Sequence, residues 1–126
     1  MRPDTFDAAL LLDMIVHARR AIEYTTGKTF DEYRRDRLLR DAVERVIQIS
    51  GEAASKISRG FRDKTPGVPW RQIIAQRHIL VHDYGDIHDD KIWRVATVHL
   101  PDLVQMLEPL LPPPPPDPFP EPPTSA

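Results

Sequence analysis

The sequence predicts an all-α fold, an antiparallel four-helix bundle (residues 1–111) followed by a disordered proline-rich tail (residues 112–126). Three observations carry this. Apolar residues recur at helical spacing through almost the whole of the first segment, with no alternating strand pattern anywhere. Capping residues, glycines and prolines divide those stripes into lengths suited to helices joined by short connections. Nine of the 14 prolines fall between Pro112 and Pro123, a composition that favours extended polyproline backbone and builds no packed core.

In the first helix Phe6, Leu10, Val16 and Ala21 mark the buried stripe. Asp4 or Thr5 caps its start and Gly27 its end. Thr29-Phe30-Asp31-Glu32 reads as a capping box opening a second, long helix. Its stripe is Leu39, Ala42 or Val43, Val46, Ile49, Ala53 and Ile57, with Gly60 as the stop. Gly51 inside it costs about 1 kcal/mol against alanine, which points to close approach of a neighbouring helix. Pro66, Gly67 and Pro69 form the next connection, and Pro69 suits the first turn of a third helix. That helix buries Trp70, Ile73, Ile74, Leu80 and Val81 and stops at Gly85. A fourth begins near His88-Asp89-Asp90, whose acids match a positive helix N-terminus. Ile92, Val95, Ala96, Leu100, Leu103, Leu107 and Leu110 continue it, and Pro101 is expected to kink it.

At 126 residues the chain is long enough for one modest core. With no cysteine, disulfides and thiolate metal sites are excluded. A net charge of −2 argues against bulk electrostatic coating of nucleic acid, but leaves room for a nuclease with a local basic cleft. No apolar run approaches the roughly 20 residues that span a bilayer. The start, Met1-Arg2-Pro3-Asp4-Thr5, lacks a signal-peptide core. A cytoplasmic protein without membrane association is expected.

The densest chemistry lies in Arg77-His78-Ile79-Leu80-Val81-His82-Asp83-Tyr84. A guanidinium presents forked donors that match phosphate and stays charged at any working pH. Imidazole is the side chain suited to proton transfer near neutrality. Arg77 and His82 together fit phosphodiester cleavage without a metal. On a regular helix they leave the axis about 140° apart, converging only if the helix ends near His82. One copy supplies one acid–base residue, whereas RNA transesterification benefits from two, so a two-fold dimer enters the reading. The structural alternative is that Arg77 pairs with Asp83 or Asp86 and His82 merely completes a helix end. A third reading uses His78 and His82, at i and i+4, as metal ligands near Asp83, Asp86, His88, Asp89 and Asp90. No zinc-protease glutamate follows His78, and neither metal nor cofactor is expected. Arg34, Arg35, Arg37 and Arg40, interleaved with Asp36 and Asp41, form a solvated face or an extension of an RNA-binding surface. His17 and His99 read as packing or surface histidines, and Trp70 and Trp93 as core.

The segment Arg77–Tyr84 carries an Arg-x4-His-x-Tyr pattern, with Phe30-Asp31-Glu32-Tyr33, Ile49-Ser50-Gly51-Glu52-Ala53-Ala54, Pro66-x2-Pro69-Trp70-Arg71-Gln72-Ile73, Trp93 and Leu100-Pro101-x-Leu103 around it in order. In this combination the chain resembles the HepT-like proteins of the HEPN superfamily over residues 1 to about 110. The resemblance implies a homodimeric, metal-independent endoribonuclease acting on RNA, the toxin of a type VII-like toxin–antitoxin pair. Arg77 and His82 map onto the family's catalytic residues, with His78 and Asp83 as supporting residues. Asp or Asn is commoner at the position of His78. Tyr84 maps onto the tyrosine that a minimal nucleotidyltransferase antitoxin modifies with AMP, placing negative charge beside Arg77. Gly85-Asp86-Ile87 replaces the frequent aromatic-Gly pair after that tyrosine. The alternative is a catalytically inactive dimer that binds the nucleotidyltransferase, nucleotide or RNA without cutting.

Overall fold

The computed structural model describes residues 3–82, 89–113, 118–119 and 121–122, with the backbone alone for 77–82. It is all-α. Helix α1 (Thr5–Thr25) opens on Asp4, whose Oδ1 accepts the Asp7 N–H at 2.7 Å. It closes before Gly27, where φ of +76° gives the left-handed turn that glycine adopts without strain. Leu10, Leu11, Met14, Ile15, Ala18 and Ala21 face inward. Phe6, expected in that stripe, is 65% exposed. At this end of α1 the inward contact is made by Asp7, not by an apolar side chain.

The capping box is present. Thr29 Oγ1 accepts the Glu32 N–H, and Glu32 Oε1 accepts the Thr29 N–H, both at 3.1 Å. The helix it opens is not long. Helix α2 (Phe30–Arg35) stops at Asp36, whose φ of −100° and ψ of 99° leave the helical region. Asp36 ends α2 and caps α3 (Arg37–Lys56), its Oδ1 accepting the Leu39 N–H at 3.0 Å. Asp36 serves both ends, its backbone N–H donating to the Glu32 and Tyr33 carbonyls of α2 and its carboxylate capping α3.

Helix α3 buries Val43, Val46, Ile47, Ser50, Gly51, Ala53 and Ala54. Ser50 Oγ donates to the Met14 carbonyl at 3.0 Å, and the Asp7 carboxylate accepts the N–H and O–H of Ser58 at 2.9 and 2.6 Å. These two pairings advance in opposite directions along the chain, so α1 and α3 are antiparallel. Helix α3 ends earlier than Gly60 implies. Ile57, only 2% exposed, is drawn into the core with ψ of 136°, which ends the helix there. Ser58 then caps α4 (Arg59–Lys64), accepting the Phe61 N–H at 3.2 Å, and Gly60 lies exposed inside that short helix.

Helix α5 (Trp70–His82) follows Pro69, which stands just outside the first turn with its carbonyl accepting the Ile73 N–H at 3.1 Å. The Trp70 indole Nε1 donates to Thr65 Oγ1 at 3.1 Å, which satisfies a buried polar atom at the helix entry. The last rod is α6 (Asp89–Arg94), a π turn (Val95–His99), α7 (Leu100–Leu107) and a 3₁₀ turn (Glu108–Leu110). Pro101, expected to kink this rod, stands in the first turn of α7, directly after the π turn. The Leu100 N–H reaches back five residues to the Val95 carbonyl, next to a proline that has no N–H to offer. Arg40 meets Asp89 at 3.4 Å, setting the starts of α3 and α6 side by side, and Arg19 pairs with Glu108. The rods α1, α3, α5 and α6–α7 thus close an antiparallel bundle around Met14, Ile15, Val43, Ala96, Leu100 and Leu107.

Candidate active site on helix α5

Helix α5 places the sequence-selected residues. Trp70 is buried at its base, while Ile73 and Ile74 pack half-buried against the core, so the rod is anchored at its N-terminal half. Arg77, His78 and His82 lie on its C-terminal half, and the backbone is helical through His82. In that register Arg77 and His82 are about 140° apart around the axis and about 7.5 Å apart along it. One copy of the helix therefore does not set them on a common face. His78 and His82 do share one, being one turn apart. Asp83, Tyr84, Gly85, Asp86 and His88 lie outside the described residues, as do the roles expected of them.

Beside α5 runs a cavity of about 380 Å³, bounded by Ile47, Ser50 and Gly51 of α3, by Gln72, Ile73 and Gln76 of α5, and by His99, Leu100 and Leu103. Gly51 is buried on this wall. His99, read from sequence as a packing or surface histidine, sits on the π turn at the mouth of that cavity. His17 is a local residue whose Nδ1 lies 2.8 Å from the Asp13 carbonyl.

A second polar group forms where α6 begins, shortly after Tyr84 in the chain. Tyr33 is fully buried and packs against Phe30 and Trp93, with ring centroids 6.5 and 5.3 Å away. Its hydroxyl has no hydrogen-bond partner among the described residues. Burial raises its pKa well above the usual phenol range, helped by the charges of Glu44 and Asp89 and opposed by Arg40. Glu44 is itself raised, first by burial and then by Asp41 and Asp89. Of the basic run, Arg34 and Arg35 pair with Asp31 at 2.9 and 3.3 Å, and Arg40 with Asp89. Those contacts explain three of its four residues as structure.

Sequence reasoning missed one cluster. Arg59 and Arg62 of α4 and Arg71 of α5 converge on a cavity of about 410 Å³. Arg59 and Arg62 are one helical turn apart, a spacing visible in the sequence but hidden when Gly60 is read as a helix stop.

The family model described as "Ribonuclease HepT-like" matches residues 14–110. The chain belongs to the HepT-like ribonuclease family. A relative from Methanocaldococcus jannaschii named "Putative RNase MJ1380" is 33% identical over 79% of this chain and 92% of its own length. "Putative RNase TTE0752" of Caldanaerobacter subterraneus is 31% identical over 71% and 80%. "Probable ribonuclease HepT" of Thermococcus cleftensis is 30% identical over 70% and 80%. No solved structure matches the chain. Among the described residues no helix is long and apolar enough to cross a membrane. The HepT-like match takes in α5 whole, together with the α3, α6 and α7 segments that surround it.

Proposed function

We propose that this HepT-like protein is a metal-independent endoribonuclease, the toxin of a type VII-like toxin–antitoxin pair, working as a homodimer with its cleft between two copies. A nucleotidyltransferase antitoxin neutralises it by adenylylating Tyr84. The observation that carries the reading is the match of the HepT-like ribonuclease family over residues 14–110, which takes in the whole of α5. One copy supplies one acid–base histidine, and a second copy brings another to the same phosphate. His82 of one copy takes the proton of the ribose 2′-hydroxyl as its oxygen attacks phosphorus. His82 of the second copy gives a proton to the departing 5′-oxygen. The P–O2′ bond forms, the P–O5′ bond breaks, and the forked donors of Arg77 stabilise the charge that gathers on the phosphorane oxygens.

Production of the protein alone in a host cell tests this reading. Growth arrest with loss of intact RNA is expected, and His82→Ala should abolish both. Arrest by His82→Ala as complete as by the unaltered chain would refute it.

A further inference from the structure

The cavity bounded by Arg59, Arg62 and Arg71 has no part in the chemistry described above. It measures about 410 Å³ and is completed by Asp63, Trp70 and Ile74. Three guanidiniums therefore face one carboxylate, in a chain whose net charge is −2. None of the three is in an ion pair among the described residues. Arg62 also holds its Nε buried without a hydrogen-bond partner among them. Unpaired guanidiniums gathered around one space repel one another, and an anion offering several acceptors relieves that repulsion while filling their donors. The walls are fixed. The Trp70 indole is tied to Thr65 at 3.1 Å, and Ser58, which caps α4, is held by Asp7.

Helical register links this cavity to the motif. From Arg71, His78 and His82 lie about 20° to either side around the α5 axis, so the three occupy one stripe of the helix. Arg71 and His82 are about 16 Å apart along it. A single strand running beside α5 is long enough to span that distance.

We infer that the Arg59–Arg62–Arg71 cavity holds a backbone phosphate of the RNA strand, a few nucleotides from the bond that is cut. This rests on the ribonuclease reading and extends it to how the strand is gripped. The cavity supplies affinity and register and leaves bond cleavage to Arg77 and His82. Because phosphate is common to every nucleotide, it favours no base sequence.

The test uses the full-length His82→Ala protein and a fluorescein-labelled single-stranded RNA octamer, with Kd measured across a salt series. Arg59→Gln/Arg71→Gln removes the two guanidiniums on exposed positions and spares the partly buried Arg62. The double variant should bind at least tenfold more weakly, and its log–log salt slope should fall by about 0.7 for each phosphate that is no longer neutralised. Arg59→Lys/Arg71→Lys should keep most of the slope, since the charge remains. In the cleaving protein the double glutamine variant should raise KM and spare kcat. An unchanged slope and KM would overturn the phosphate site and leave the nuclease standing. A reduced slope in a protein that never cleaves RNA would overturn the nuclease and leave the phosphate site. Inorganic phosphate competing in the millimolar range, with no change in RNA slope on substitution, would show a small-anion site and overturn the RNA assignment.

Discussion

Asp7 and Ser58 are joined twice, the carboxylate of the first accepting both the backbone N–H and the hydroxyl of the second, at 2.9 and 2.6 Å. Asp7 is 2% exposed and Ser58 stands at the surface, so the pair joins the buried side of α1 to the solvent-facing start of α4. The same hydroxyl accepts the Phe61 N–H, which makes Ser58 both the cap of α4 and the tether of α4 to α1. Arg59 and Arg62 follow on that helix, which this contact ties to α1.

Removing the carboxylate takes the shared acceptor from the N–H and O–H of Ser58. Asp7→Ala should destabilise the fold by about 2–3 kcal/mol, since hydrogen bonds to a charged group are worth more than neutral ones. Ser58→Ala should cost about 1 kcal/mol, mainly through removal of the cap. Urea denaturation of both single variants and the double variant measures the coupling directly. Strictly additive losses would mean that the two residues act independently.

The buried polar group near α6 makes a prediction of the opposite sign. Tyr33 keeps its hydroxyl in the core without a partner among the described residues, so Tyr33→Phe should leave thermal stability unchanged or raise it. In the unaltered protein Tyr33 resists ionisation when folded. Its contribution is therefore intact below pH 10 and is lost as pH climbs above that value, a loss that Tyr33→Phe should remove.

Glu44 behaves likewise at lower pH. Its folded pKa is raised above the ordinary 4.5, by burial first and then by Asp41 and Asp89. The unfolded chain releases this proton more readily, so stability present below pH 4.5 is lost as pH rises through the folded value. Glu44→Gln should raise Tm at pH 7 and have no effect on Tm at pH 4 or below. A Tm gain of equal size at both pH values would rule out titration of Glu44 as the cause.

Tyr84 is proposed to be the regulatory residue, and mass decides it. Co-production with a minimal nucleotidyltransferase should add the mass of one or more AMP units to the intact protein, and Tyr84→Phe should receive none. Equal modification of Tyr84→Phe would move the target elsewhere.

Much of the architecture was legible because it rests on local rules. Thr29 and Glu32 form the expected capping box, and Gly27 ends α1 in the left-handed conformation. What escaped depends on tertiary partners. Asp36 looks like one more acid in a charged run until its side chain is seen capping α3. Gly60 is a poor guide because burial of Ile57 has already ended α3 and Ser58 restarts the helix. The π turn at Val95–His99 has no sequence signature of its own beyond the proline that follows. The motif is found from residue types and spacing alone. The basic cavity is not, because Arg71 joins Arg59 and Arg62 only once α4 folds against α5.

The central claim concerns bond cleavage, and single-turnover cleavage of one defined RNA in excess EDTA tests it most directly. The unmodified protein should cut, and His82→Ala and Arg77→Ala should each slow cleavage by about 10²-fold or more, with folding and dimer formation unchanged. Cleavage that vanishes with EDTA and returns with a divalent metal, or that proceeds equally well in His82→Ala, would contradict it.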